Sequence, residues 1–443
     1  MESQRGPLSR GDLVERDITL LKPHARNART HSKKQIGQIA RSIRKFGFTN
    51  PILIDEEDRI IAGHGRVEAA KSLGMTRVPV LLLEGMSEAD RKAYVIADNR
   101  LAELAGWDRE LLGLELGDLS ALVPDFDFDV IGFEVAEIEA LLNEANPKEV
   151  TEDAVDEPER KAPAVTRLGD MWQLGSHRII CGDSTKPEVF EKLMGDEIAQ
   201  MIFTDAPYNV PVNGHICGLG KVQHDEFVMG AGEMSRAEFT DFLAKVMDNL
   251  AAYSVDGSIH YQCMDWRHMG EMLEAGERVY DSLRNLIVWN KDNGGMGTFY
   301  RSKHELIFVF RKGAAAHINN FALGQHGRYR TNVWDYAGVN SLKADRDEEL
   351  AMHPTVKPVK MVADAMLDCS RSGGIILDAF SGSGTTIMAA EQTGRIARAV
   401  EMDPHYVDVA VRRWQKATGQ NAILCGSDLT FAAIEKAVNE IDI

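Results

Sequence analysis

The chain has 443 residues, 44% of them apolar, and a formal net charge of −18. That length favours two domains over a single core; no apolar run reaches the ~18 residues of a membrane-spanning helix, and the first thirty residues lack a signal-peptide core. Five cysteines, at 181, 217, 263, 369 and 425, form no Cys-x-x-Cys pair, which argues against a disulfide framework or a cysteine-built zinc site and suits a reducing cytoplasm.

In chain order, positive charge comes first. Leu21 to Asn50 holds eight Lys/Arg and no acid, so the acidity is displaced elsewhere. Ser32-Lys33-Lys34-Gln35 predicts a capping box. Ile36, Ile39, Ala40, Ile43 and Phe46 follow at helical spacing, and Gly47 stops the helix. Short strands are expected at "PILID" and "RIIAG", then a helix from Arg66 to Leu73, a strand at "VPVLLL", and helices through 87–142. Residues 12–143 thus read as a small α/β domain with a helical tail. Residues 144–166 carry three prolines, many charges and little apolar content, and read as an acidic linker.

Residues 167–443 form the second expected domain. Strands are predicted at "HRIIC", "QMIFT", "SIHYQ", "LIVWN", "ELIFVF", "GIILDAF" and "IARAVE", with helical patterns between many of them. That alternation predicts a mostly parallel sheet covered by helices on both faces. In such sheets ligands bind beyond the carboxyl ends of the strands.

Several strand ends carry chemistry. "ILDAFSGSGTT", residues 376–386, ends a buried strand at Asp378 and turns through Gly382 and Gly384 into a helix. Glycines there let the backbone approach a ligand closely. The following strand ends at Glu401, the position at which such folds hold a ribose diol. The loop is not Gly-x-Gly-x-x-Gly and has no phosphate-loop lysine, so a nucleoside without a phosphate chain fits better than a dinucleotide. A tight turn without a ligand is the plainer alternative for this loop alone. "FTDAPYNV", residues 203–210, ends another strand with a carboxylate, a stiffened backbone and an aromatic ring side by side. Taken alone, it could equally be a strand-end turn with a structural Asp.

Together these segments resemble the beta class of amino-directed (N6-adenine/N4-cytosine) DNA methyltransferases. "DAPY" at 205–208 resembles their Asp-Pro-Pro-Tyr catalytic motif, with Ala206 replacing the first proline. "DAFSGSG" resembles their S-adenosylmethionine loop, "HPTVKP" at 353–358 the segment before it, and "IVWNKDNGGMGTFYRSKHELIFVFRKG" at 287–313 the corresponding stretch. The likeness covers roughly 167–425, with the catalytic motif ahead of the cofactor motif as in the permuted class. It implies a Rossmann-like S-adenosylmethionine-dependent methyltransferase sheet in an α/β chain. It also implies catalytic roles for Asp205, Ala206, Pro207 and Tyr208. Asp205 and the Ala206 carbonyl would accept the target amine's N–H bonds, and Tyr208 would stack on the flipped base. The implied cofactor residues are Asp183, Lys357, Pro358, Asp378, Phe380, Gly382, Gly384 and Glu401, and no metal. Members with Asp in the first catalytic position mostly act on adenine N6, and the chain lacks the Pro-Cys of cytosine-C5 enzymes.

Lys291 to Arg330 holds seven Lys/Arg against two acids. Lys291, Arg301, Lys303, Arg328 and Arg330 are therefore candidate contacts to double-stranded DNA, with a solvated face as the alternative for each. The implied partner is duplex DNA, with no membrane, and a homodimer stays open.

The first domain, over 17 to about 100, resembles the N-terminal domain of the ParB/sulfiredoxin superfamily through "PILIDEEDRIIAGHGRVEAAKSLG". Partition proteins hold a nucleotide at a Gly-Glu-Arg-Arg box. The box here is Gly63-His64-Gly65-Arg66, which puts nucleotide hydrolysis in doubt, and sulfiredoxin's cysteine is missing. The expected role is DNA or partner binding through Lys22–Lys45. Three readings follow: a DNA amino-methyltransferase, an RNA methyltransferase, or a ParB-like DNA-binding regulator with a vestigial methyltransferase fold.

Overall fold

The computed structural model describes residues 9–24, 29–123, 126–145, 150–152, 155, 158, 162–209, 232–292, 299–321, 329–337 and 356–441. The chain divides into two compact units, Met1–Asn146 and Pro147–Ile443.

In the first unit, strands β1 (Ser9–Asp17), β2 (Ile52–Ile54), β3 (Ile60–Ala62) and β4 (Arg77–Glu84) form a four-stranded sheet in the order β1-β4-β2-β3. Helices Lys33–Phe46 and His64–Ser72 accompany it over a core of Ile52, Ile54, Ile60, Val67, Ala70, Val78 and Val80. Ser32 caps the first helix by accepting from Gln35 N, and Gly47 ends it at φ 80°. The reciprocal half of the expected capping box is redirected: Gln35 Oε1 lies 3.0 Å from His31 Nδ1. Helices Arg109–Leu122 and Val135–Ala145 pack on each other through Leu116, Ile138 and Leu141.

The second unit is built on ten strands: β5 (Met171–Leu174), β6 (His177–Cys181), β7 (Ala199–Asp205), β8 (Ser254–Met264), β9 (Ser282–Asn290), β10 (His304–Arg311), β11 (Val333–Asp335), β12 (Ile375–Asp378), β13 (Ile396–Glu401) and β14 (Ile423–Leu424). Their order is β11-β9-β10-β8-β7-β12-β13-β6-β5-β14. All seven strands expected in this domain are present. The middle five, β8-β7-β12-β13-β6, are parallel. The expectation of a mostly parallel sheet needs correction at both flanks, where β5, β14, β9 and β10 each join an antiparallel neighbour. Hairpin connections allow this, whereas parallel neighbours need a crossover. β7 is buried on both faces: Met201 and Phe203 enter one apolar layer and Ile202 the other. This is why its centre, Met201-Ile202-Phe203, is apolar with no alternation.

Topology then fixes where a ligand can sit. From β12 the chain crosses through helix Thr385–Thr393 to its neighbour β13, while from β7 it crosses through helix Arg236–Ala252 to β8 on the other side. β7 and β12 are adjacent, so the chain diverges between them and leaves a crevice at their carboxyl ends. Asp205 and Asp378 end these two strands.

The span 144–166 is not a plain linker. The backbone amides of Val165 and Thr166 donate to Asp408, and residues 150–152 bond to two helices of the second unit. Polar composition marks a segment as lacking its own core; it does not reveal docking on another.

Candidate active site

Two loops meet at the crevice. Thr204, the penultimate residue of β7, donates its hydroxyl to Asp378 Oδ1 at 2.9 Å and accepts from Ala379 N at 3.2 Å. Asp378 also accepts from Phe380 N at 3.0 Å and from the Thr386 hydroxyl at 2.6 Å. Burial pushes its carboxyl up to about 6. The sequence places Asp378 among the cofactor contacts. Its oxygens instead tie the glycine loop to its own helix and to β7, so it shapes the loop from within.

The glycine loop itself faces open space. Gly382 adopts φ 51°, and a Cβ built there would meet no atom within 4 Å. Gly384 has the opposite constraint, since a Cβ would lie 2.8 Å from that of Ala410 on the helix Pro404–Thr418. The Ser381 hydroxyl is buried without a hydrogen-bond partner among the described residues. Glu401, ending β13, accepts from Gly382 N at 2.8 Å and from Asp403 N at 2.9 Å. Each of its oxygens keeps a lone pair for a further donor. Burial pushes its carboxyl up to about 7. Asp183 follows β6 beside β13, where Gly182 N donates to the Glu401 carbonyl at 2.9 Å. One Asp183 oxygen accepts from the amide and hydroxyl of Thr185. The Phe380 ring packs 6.0 Å from that of Phe242. An orphaned hydroxyl, an open glycine and a carboxylate with free lone pairs fit a nucleoside-type ligand at this edge.

The second loop holds a buried charge cluster. Asp205 Oδ2 lies 2.5 Å from Lys357 Nζ, and its Oδ1 lies 2.8 Å from the Tyr208 hydroxyl. Lys357 also reaches Glu305 Oε2 at 3.1 Å and the Tyr208 oxygen at 3.1 Å. Tyr208 is 3.0 Å from Glu305 Oε2 as well, and with a single proton it can donate to one acid at a time. Lys291 pairs with Glu305 Oε1 and sits 4.6 Å over the Trp289 ring. Two carboxylates thus face two ammonium groups. Burial raises the Asp205 carboxyl, with Lys357 opposing it. Burial would raise Glu305 too, but Lys357 and Lys291 outweigh it and pull the group down to about 2. Glu305 touches two lysines and Asp205 one, so Glu305 is the firmly ionised member.

Several expected positions need correction. Lys357 lies with Asp205 and Glu305, to which its ammonium is drawn; Pro358 after it is buried and opens helix Val359–Cys369. Lys291 points inward to Glu305 and is not free for a phosphate. Arg330 is also internal, bonded to Asp368 at 2.9 Å and to the Tyr336 hydroxyl at 3.0 Å. Arg301 and Lys303 remain exposed beside exposed Phe299 and Tyr300. Arg328 and the loop Asn293–Gly297 lie outside the described residues. Ala206 is buried in the apolar layer that Tyr208, Phe380 and Phe242 also contact, and Pro207 follows it.

Sequence reasoning missed Glu305 and Asn209. Asn209 takes a left-handed φ of 52°, a conformation Asn tolerates better than most residues, and its side chain bonds to Gly232 and Met234. That position fixes the chain just after Tyr208. Cys263 pairs with Asp205 across β7 and β8, but burial lifts its thiol well above the ordinary range, so it is no nucleophile. In the first unit, Arg66 donates to the Asn50 and Pro51 carbonyls, and His64 Nε2 accepts from His24 N at 3.2 Å. Both side chains are occupied in holding the fold there.

Three family models match the chain. A DNA methylase family model matches residues 199–412, a ParB N-terminal domain matches 2–99, and a ParB-methyltransferase helix-turn-helix domain matches 110–168. The last spans what the sequence suggested was helical tail and linker. The ParB-like nuclease domain-containing protein YnaK of Escherichia coli (strain K12) is 51% identical over 80 residues, 18% of this chain and 92% of that protein. The DNA adenine methyltransferase YhdJ of the same organism is 25% identical over 252 residues, 51% of this chain and 79% of that one. The type II methyltransferase M.ScaI of Streptomyces caespitosus is 37% identical over 87 residues, 20% of this chain and 29% of that one. Among the described residues no helix is long and apolar enough to cross a membrane, and no group of three or more His, Cys, Asp or Glu is arranged to hold a metal. With its glycine loop and acid-ended strands beside the Asp205 cluster, the second unit carries the DNA methylase domain that the family model matches over 199–412, and ParB-type domains precede it in the chain.

Proposed function

We propose that this protein transfers a methyl group from S-adenosylmethionine to the exocyclic N6 amine of adenine in duplex DNA. The observation carrying the reading is Asp205, a half-buried carboxylate at a strand end beside the glycine loop, with an adjacent backbone carbonyl and aromatic ring. An exocyclic amine is a weak nucleophile because its lone pair is delocalised into the ring. Asp205 and the Ala206 carbonyl, accepting its two N–H bonds, favour a pyramidal nitrogen with the lone pair free. Preorganised acceptors also stabilise positive charge growing on that nitrogen. The carbonyl is the acceptor at position 206, so alanine serves there without the proline ring.

The cofactor, when bound, supplies an electrophilic methyl group on sulfur. Glu401 would hold its ribose diol, the loop from Phe380 to Gly384 would pass along its methionine end, and Asp183 would lie toward its adenine. Lys357 opposes the burial that raises the Asp205 carboxyl and so favours its charged form. A carboxylate has about four acceptor sites, so Asp205 can receive the amine without releasing Lys357. Glu305 holds Lys357 and Tyr208 in place, and Tyr208 offers its ring to the extruded base. Asp205 is the group assigned to accept the proton that the methylated nitrogen must lose.

Asp in the first catalytic position and the partial likeness to an adenine methyltransferase support adenine over cytosine N4. The same motif set argues against a vestigial fold and against RNA, whose amino-methylating enzymes more often begin with Asn. Cytoplasmic location follows from the substrate and the scattered free cysteines.

Glu401→Ala should weaken S-adenosylmethionine binding about ten- to a hundredfold, the loss of charged hydrogen bonds. Protonation removes an acceptor oxygen, so wild-type affinity should fall as pH drops through about 7. Calorimetry should show that pH-dependent increment missing from Glu401→Gln; identical pH profiles would mean the diol is held elsewhere.

The ParB-type unit is read as a DNA-contacting module. Lys33 and Arg44 are exposed on helix Lys33–Phe46. In the full chain, changing both to alanine should make the slope of log affinity against log salt shallower, by about 0.9 for each phosphate left without its cation. Parallel salt titrations would make this unit a protein-binding module instead.

A further inference from the structure

Helix Val359–Cys369 begins with an unmet need. The first N–H groups of any helix have no intrahelical partner. A side-chain acceptor at the cap usually supplies one. Here the cap is Pro358, which has no such acceptor. The partner comes from more than two hundred positions away: Glu152 accepts from Val359 N at 2.9 Å and from Lys360 N at 2.8 Å, one oxygen each. Its charge also faces the positive end of the helix dipole.

The neighbouring residues are anchored independently. Thr151 N donates to Gln392 Oε1 at 2.8 Å, and Gln392 Nε2 donates back to the Thr151 carbonyl at 3.2 Å. Val150 packs against the apolar layer beneath these helices. Three consecutive residues therefore touch two helices, the one that the glycine loop opens and the one that follows Lys357. Gln392 lies on helix Thr385–Thr393, which the glycine loop opens. Val359 is two residues after Lys357, whose ammonium meets Asp205 at 2.5 Å.

We propose that residues 150–152 are a strap that sets Lys357 against Asp205, with Glu152 a positioning residue for methyl transfer. The proposal rests on the methyltransferase reading above. Lys357 is 5% exposed and its ammonium contacts both acids, so a shift of the helix start two residues on would move it relative to Asp205.

The test uses full-length Glu152→Gln and Glu152→Ala proteins. Glutamine can cap one amide but not two, so its effect should be intermediate. In steady-state methylation of duplex DNA, kcat should fall about tenfold or more in Glu152→Ala, as for a misplaced catalytic geometry, with KM for both substrates unchanged. A helix cap that merely stabilised the fold would leave kcat of the folded protein intact. A second measurement needs no activity: pulse acylation with an amine-reactive ester, read by peptide mass spectrometry, should show Lys357 protected in wild type and labelled several-fold faster in Glu152→Ala. Unchanged labelling of Lys357 would overturn the strap. If wild type itself transfers no methyl group to DNA, the functional reading fails, and the labelling still decides whether Glu152 positions Lys357.

Discussion

Asp205→Asn should abolish methyl transfer while leaving S-adenosylmethionine affinity within about twofold of wild type. Asparagine keeps the shape and can still accept from one N–H. It cannot carry the charge that stabilises the developing cation, and losing one preorganised electrostatic partner costs about a hundred- to a thousandfold in rate. The amide also loses its ion pair with Lys357, which lies 2.5 Å from the carboxylate. Cofactor affinity should survive, because the Asp205 side chain bonds to Lys357 and Tyr208 and not to the glycine loop or Glu401. Calorimetry on the variant separates the two roles. A variant that loses cofactor binding in parallel with transfer would place Asp205 in the cofactor pocket.

Lys357→Met should be nearly as damaging, but with a different signature. It leaves Asp205 and Glu305 buried with Lys291 alone, and Lys291 contacts Glu305. Breaking a buried ion pair by removing one partner typically costs about 3–5 kcal/mol. The cluster can reduce that cost by protonating Asp205, whose carboxyl burial already raises. The direction follows: the ammonium favours the carboxylate, so its loss moves the acid limb of the rate profile to higher pH. At neutral pH the rate should fall about a hundredfold and then recover partly in alkaline buffer. Asp205→Asn should show no recovery at any pH. A Lys357→Met enzyme with a wild-type pH profile would show that Lys357 has no hold on the catalytic acid.

The parts of the site that can be read from the sequence are those whose chemistry is local. Asp205, Tyr208, Gly382 and Glu401 lie at strand ends, where a carboxylate or a glycine interrupts an apolar run, and the resemblance to amino-directed methyltransferases rests on those interruptions. The parallel core is legible for the same reason: a strand buried on both faces is written as unbroken apolar residues. Glu305 is hidden because it sits inside such a strand, 100 positions from Asp205, and looks like an ordinary acid at a strand start. Lys357 is legible as a site residue but not as a partner of Asp205, since adjacency to the cofactor motif in sequence does not fix the direction of a long side chain. Arg330 reads as a surface cation, yet Asp368 and Tyr336 draw it inward. The short strands β5, β11 and β14 at the sheet's flanks have two to four residues, too few for a period to show. Residues 150–152 carry no signal of their own, because a strap is defined by what it docks on.

Where the methyl group goes is the most direct test of this chemistry. Full-length protein incubated with isotopically labelled S-adenosylmethionine and duplex DNA, followed by digestion to nucleosides and mass spectrometry, should yield labelled N6-methyldeoxyadenosine from wild type and none from Asp205→Asn. A parallel reaction on RNA should remain unlabelled. Label in N4-methyldeoxycytidine would keep the mechanism and change the base. Label confined to RNA, or equal labelling by wild type and Asp205→Asn, would contradict the proposed reaction.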